Sequence, residues 1–190
     1  MIIGIAGKAQ AGKDTTAQML QILLSYPDIT WDMYWNSDIT FAFDHFVVHY
    51  ADLLKEVSQE MLDMPFDDFN SQEVKQQTID WLGMTVREFL QKLGTAVRKE
   101  IDPEFWVKAL FNTYQNGNII IADVRFPNEA EAIKARGGKL IRIERPGAGA
   151  GNHISETALD DYKGWDIVID NVGTLEDLFN VVKFHVQNSL

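Results

Sequence analysis

Short apolar runs alternate along this chain with longer stretches of helical periodicity. Ile2–Ala6 is an apolar, β-branched run that predicts a first strand. From Lys13 to about Ser25, Ala17, Leu20, Ile22, Leu23 and Leu24 supply the apolar positions of a helix that Pro27 closes. Residues 28–44 read as irregular and are rich in aromatics and Asp. Phe46–Tyr50 predicts a short strand and Ala51 to about Met61 a helix. A long helical insert is expected from about Ser71 to Gln115, with Pro103 starting its last helix in the favoured first turn. Asn118–Asp123 is a strand of the fully buried type, and Pro127 opens the next helix. Lys139–Glu144 is a strand, Pro146–Asn152 a flexible glycine-rich loop, Asp166–Ile169 the last strand, and Thr174 to about Val186 the last helix.

Strands that alternate with helices imply an α/β fold with a parallel sheet covered on both faces. Ligands of such sheets sit beyond the carboxyl ends of the strands. Those ends carry Gly7, Tyr50-Ala51-Asp52, Asp123-Val124-Arg125, Glu144-Arg145 and Asp170-Asn171. At 190 residues the chain is most simply one domain, 1–190, with enough length for a full core.

Composition narrows the function classes. The net charge of -11 argues against a general binder of nucleic-acid polymers, which needs a basic surface. A nucleotide enzyme tolerates this charge, because a few focused cations make its site locally positive. The chain has no cysteine, so disulfides and thiol chemistry are excluded and a reducing, cytoplasmic setting fits. No apolar run reaches bilayer length, and the N-terminal run is too short for a signal peptide, so no membrane partner is expected. His45, His49, His153 and His185 show no metal-ligand spacing. The size and the apolar insert helices are compatible with a homodimer.

The sharpest chemical signal follows the first strand. Gly7-Lys8-Ala9-Gln10-Ala11-Gly12-Lys13-Asp14-Thr15 has the spacing of a phosphate-binding loop, G-x-x-x-x-G-K-[ST]. Glycines let successive N–H groups converge on phosphate oxygens, and the next helix aims its positive end at the same anion. Lys13 adds a full charge. Asp14 departs from the pattern, standing where Ser or Thr normally meets Mg²⁺. Two Gly and one Lys at this spacing arise by accident in roughly 5% of chains this long, so the strand–loop–helix context matters.

Asp123 ends an Ile-rich strand, as a Mg²⁺-organising acid of phosphate-loop enzymes does; a helix-capping Asp ahead of Pro127 is the other reading. Arg125 can grip a phosphate bidentately or form a surface ion pair. Arg142 and Arg145 flank the glycine loop and can act as lid cations; an ordinary surface loop is the alternative. Ser155 reads best as the N-cap of a following helix.

Taken together, these residues resemble the phage-type deoxynucleoside monophosphate kinase family. The likeness rests on Gly12-Lys13-Asp14-Thr15, Ala51-Asp52-Leu53-Leu54-Lys55-Glu56, Leu90-Gln91-Lys92-Leu93-Gly94-Thr95 with Arg98 and Trp106, Asp123-Val124-Arg125-Phe126-Pro127-Asn128-Glu129, and His153-Ile154-Ser155-Glu156. Members tend to carry Asp after the loop lysine, so the anomaly at Asp14 narrows the match. Phosphomevalonate kinases share Gly-Lys-Asp, which leaves another small phosphorylated acceptor as an alternative. A nucleotide-dependent switch is the alternative from a different class, but no Asn-Lys-x-Asp run is present.

The resemblance implies a three-layer phosphate-loop fold with a five-stranded parallel sheet, a helical monophosphate-binding insert at about 71–115 and a short lid at about 145–156. It implies transfer of the γ-phosphoryl group of ATP to a deoxynucleoside monophosphate, with small nucleotides as partners. Gly7, Ala11, Gly12, Lys13, Asp14, Thr15, Arg142, Asn171 and Gly173 would bind ATP. Lys55, Gln91, Arg98, Trp106 and Arg125 would bind the acceptor, Trp106 by stacking or as a core aromatic. Asp14 and Asp123 would organise Mg²⁺, in part through water. Lys13, Asp123, Arg125 and Arg145 would act on the transferred group. An acceptor phosphate is already anionic, so no dedicated general base is needed.

Overall fold

The computed structural model describes residues 1–36, 42–115, 117–149 and 154–190. Residues 37–41 of the aromatic stretch and Gly151, Asn152 and His153 of the expected lid lie outside them, as do 116 and 150. In chain order the elements are β1 (Ile2–Ala6), α1 (Lys13–Ser25), α2 (Trp31–Asn36), β2 (Phe46–Val48), α3 (Asp52–Leu62) and α4 (Gln72–Gln76). There follow β3 (Thr78–Ile79), β4 (Met84–Thr85), α5 (Val86–Glu100), α6 (Phe105–Thr113), β5 (Ile119–Val124) and α7 (Pro127–Lys134). The chain ends with β6 (Lys139–Glu144), β7 (Ile167–Asp170) and α8 (Leu175–Asn188).

The chain folds as two units, Met1–His49 with Tyr114–Leu190, and Tyr50–Thr113. In the first, five parallel strands lie in the order β2-β5-β1-β6-β7. Side chains alternate between the faces of a strand. Ile3, Ile5, Ile120, Ala122, Ile141 and Ile169 therefore pack with Leu20 and Leu23 of α1 and Phe179 and Val182 of α8. On the other face α7 lies close: a Cβ added to Gly4 would meet Ile133 at 2.5 Å and Leu140 at 2.9 Å. Helices on both faces give the three expected layers.

Several boundaries move. The strand expected over Phe46–Tyr50 ends at Val48, and α6 begins at Phe105, two residues after Pro103. The stretch expected to be irregular contains α2, because Trp31 and Tyr34 lie three apart and pack on Phe179 at 5.5 and 5.0 Å. Tertiary packing there outweighs a weak local pattern.

The second unit is helical, as expected for its core, but it also holds an antiparallel β3–β4 hairpin that helical periodicity does not announce. Phe69, Ile79 and Val86 form its small centre. Thr85 and Glu88 build a capping box at the start of α5.

Candidate active site

The loop after β1 has the geometry its glycines require. Gly12 holds φ +101, and a Cβ there would lie 2.6 Å from Asn171 Nδ2. A Cβ on Gly7 would come within 2.6 Å of the Ile143 carbonyl oxygen. Neither position admits a side chain without displacement. The loop is closed by a hydrogen bond from Ala11 N–H to Lys8 O at 3.1 Å. It is also tethered from outside. Asn171 Nδ2 donates to Ala11 O at 2.9 Å, and Gly149 N–H donates to Ala9 O at 3.0 Å. Since α1 starts at Lys13, its N-terminal end opens onto this loop.

Strand register decides what faces the loop. Ala6 pairs with Val124 on one side and with Arg142 on the other, so the turn at Gly7 opens beside Arg125. The register slips between Gly4 and Ala6 because β5 carries one more residue across the same span. Asp123 sits in that irregularity, a feature that re-aims side chains at strand ends.

Lys13 is 7% exposed and its ammonium donates to Lys8 O at 2.9 Å. Burial lowers its pKa and the charge of Arg125 lowers it further, while Asp14, Glu156 and Asp123 oppose the shift. These five charges therefore share one electrostatic neighbourhood. Arg125 Nη1 forms a close ion pair with Glu156 Oε1. The other oxygen of Glu156 accepts Ala9 N–H at 2.9 Å. Burial pushes the Glu156 carboxyl upward, but the Ala9 hydrogen bond, Arg125 and Lys13 outweigh it and leave the pKa lowered.

Asp14 is largely exposed at the head of α1, and His49 Nε2 lies 3.3 Å from its Oδ1. The neighbouring Thr16 is fully buried and its hydroxyl donates to Gly12 O at 2.9 Å, so it serves the helix start. Among the described residues no group of three or more His, Cys, Asp or Glu side chains gathers for a metal. Asp14 and Asp123, whose charges both act on Lys13, are the carboxylates that could hold Mg²⁺, an ion commonly bound by one or two carboxylates with phosphates and water completing the shell.

Arg142 and Arg145 differ in setting. Arg142 belongs to β6, where Nε pairs with Glu144 at 2.7 Å, Nη1 donates to Leu159 O at 3.0 Å, and the guanidinium lies over Trp165. It is thus a strand residue rather than a residue of the lid. Arg145 begins the loop and borders two hollows. One, of about 420 Å³, is lined by Gly7, Arg125, Arg142, Glu156 and Trp165. The smaller is lined by Gly12, Thr15, Asn171 and Gly173. The structure thus brings together most of the expected ATP-binding residues. Ser155 lies inside a short 3-10 turn, Ile154–Glu156, and so does not serve as the expected N-cap.

In the second unit Gln91 and Arg98 stand seven apart on α5, two helical turns, and so share a face. Lys55 pairs with Asp52 at 3.1 Å and lies over the Phe66 ring. Trp106 requires a correction. It is 5% exposed, and its indole N–H donates to Gly94 O at 3.1 Å. It presents no open face on which a base or sugar could stack, so its role is in the core of this unit.

Two acids that the sequence offers only as members of motifs, Glu129 and Glu156, hold the loop residues in place. Glu129 is 1% exposed and accepts the N–H groups of Arg125 at 2.8 Å and Phe126 at 3.0 Å. A Glu two places after the Pro that opens a helix is a recognisable capping signal. No local cue gives the contacts of Glu156, because its partners are 147 and 31 residues away in sequence.

Comparison with known proteins agrees with this geometry. The family described as deoxynucleotide monophosphate kinase matches residues 34–182. A protein of Acanthamoeba polyphaga mimivirus, named provisionally as a deoxynucleotide monophosphate kinase, is 30% identical over all of this chain and 97% of its own length. The deoxynucleotide monophosphate kinase of Enterobacteria phage T4 is 35% identical over 52% of this chain and 44% of its own. That of Escherichia phage RB69 is 31% identical, again over 52% of this chain and 43% of its own. The chain thus aligns with less than half the length of those phage enzymes.

Proposed function

The chain belongs to the deoxynucleotide monophosphate kinase family, and from that premise we propose that it transfers the γ-phosphoryl group of ATP to a deoxynucleoside monophosphate, yielding ADP and the diphosphate. The observation that carries this reading is the convergence of Lys13, Arg125 and the loop amides at the carboxyl ends of β1 and β5. A phosphoryl group in flight spreads negative charge over its oxygens, and such a cluster stabilises it.

The division of labour follows from position. Backbone amides from Gly7 to Thr15 cradle the donor phosphates, and the Lys13 ammonium leaves Lys8 O to neutralise them. Arg125 grips the transferred or acceptor phosphate through its planar fork. Arg145, with Arg142 behind it, adds charge from the β6 side. Gly12, Thr15, Asn171 and Gly173 border the hollow suited to the rest of the donor. Asp14 and Asp123 would hold Mg²⁺, directly or through water, and that ion would supply neutralisation of phosphate charge. Within the second unit Lys55, Gln91 and Arg98 are the acceptor-binding residues. The acceptor oxygen is anionic before reaction, so positioning and charge neutralisation suffice.

Coupled ADP release with a panel of deoxynucleoside and ribonucleoside monophosphates, plus phosphomevalonate, tests the reading. Stimulation by one or more deoxynucleoside monophosphates is expected. If no acceptor raises ADP release above the rate with water alone, the kinase reading is wrong. Preference for phosphomevalonate would move the chain to the other acceptor class.

A further inference from the structure

The Glu156 carboxylate stands among groups that a phosphate would otherwise recruit. Its Oε2 takes Ala9 N–H of the phosphate loop at 2.9 Å, and its Oε1 takes the guanidinium of Arg125. The charge of Lys13 acts on it as well. A loop amide, an arginine and a lysine form the donor set of a phosphoryl-binding site, and here one carboxylate engages it. The side chain is only 12% exposed, so the contact is built into the fold.

The opposing charges explain why an acid is tolerated there. Lys13 is buried, and the charge of Arg125 disfavours its own. Asp14 and Asp123 also offset Lys13, but without Glu156 the repulsion between Lys13 and Arg125 would lack the carboxylate that pairs with Arg125. A carboxylate relieves that repulsion, and a phosphate would relieve it more fully, with a higher charge and more acceptor oxygens.

We propose that Glu156 is an internal counter-anion: it holds Arg125 and the Ala9 amide in the nucleotide-free protein, and a phosphate of the bound nucleotide displaces it. This inference rests on the phosphate-loop reading above. It assigns Glu156 a positioning role, not contact with the reacting atoms. Its signature is a pair of opposite signs. Neutralising Glu156 costs stability in the free protein but strengthens binding of a polyphosphate. A merely structural acid would weaken both.

Calorimetric titration of inorganic tripolyphosphate into the full chain separates the possibilities. Glu156→Gln preserves the shape and removes the charge; Glu156→Ala removes both. Each is expected to bind tripolyphosphate about tenfold more tightly than wild type, the scale of releasing one charge-assisted hydrogen bond. Each is also expected to unfold at a lower temperature without ligand. Equal or weaker binding in both variants, with Lys13→Ala weakened as the loop requires, overturns the proposal and leaves the kinase reading intact. Undiminished binding by Lys13→Ala overturns the phosphate-loop reading and the proposal with it.

Discussion

Glu129 accepts the backbone N–H of Arg125 at 2.8 Å, so the acid that ends the Asp-Val-Arg-Phe-Pro-Asn-Glu run fixes the backbone of its third residue, the arginine. The same oxygen takes Phe126 N–H at 3.0 Å and closes the first turn of α7. Glu129→Ala removes a buried acceptor from two amides. An unmet buried partner costs about 1–3 kcal/mol. We expect a denaturant midpoint lowered accordingly, together with reduced turnover because Arg125 loses its anchor. Glu129→Gln restores an acceptor and should recover much of the stability. A Glu129→Ala protein that unfolds like wild type would remove this role.

The Lys13 ammonium touches the loop at Lys8 O, and Arg125 reaches it through Glu156. Substituting either by Ala should lower turnover by at least about 10²-fold, the scale of losing one preorganised charge contact. Circular dichroism would establish that each variant is folded before kinetics are read. Near-wild-type turnover in folded Arg125→Ala would take that residue out of the site.

Trp106 should behave as a core residue. Its N–H bonds Gly94 O, and Gly94 itself has Leu54 Cδ2 at 3.3 Å from any added Cβ. Trp106→Phe leaves the Gly94 carbonyl without this donor and should cost about 1–3 kcal/mol on thermal unfolding. KM for the acceptor should stay within about threefold of wild type, a shift below about 1 kcal/mol. A large rise in KM with unchanged stability would restore the stacking role.

The phosphate loop, α1 and the central strands were legible because their signals are local. Gly7, Gly12 and Lys13 are fixed by spacing, and β5 announces itself by four buried residues in a row. The helix α2 and the β3–β4 hairpin were not legible, because each depends on what it packs against. The same division runs through the site. Asp123 and Arg125 could be placed from a strand end, whereas Glu156 and the Asn171 tether arise from contacts across most of the chain. Asn171 shows the limit well. The family resemblance implies contact with the donor, whereas the structure shows its amide holding Ala11 O.

Acid should loosen the first unit at an identifiable clasp. Asp166 takes Lys134 Nζ at 2.8 Å on each oxygen and Leu140 N–H at 2.7 Å, joining the end of α7 to the starts of β6 and β7. Burial raises the pKa of this carboxyl, but Lys134, the Leu140 N–H and the charge of Lys139 more than compensate, so it is lowered in the folded protein. A carboxyl depressed by folding contributes stability that is fully present above its unfolded value, about 3.9 for Asp. That contribution is lost as pH falls through the folded value, because the unfolded chain then binds the extra proton. Thermal unfolding followed from about pH 7 down to about pH 2 should therefore show a declining midpoint below about pH 4. Asp166→Asn keeps the shape but not the charge. It should be less stable than wild type near neutrality, and the gap should close as the pH falls. A constant gap across that range would mean that ionisation of Asp166 does not stabilise the fold.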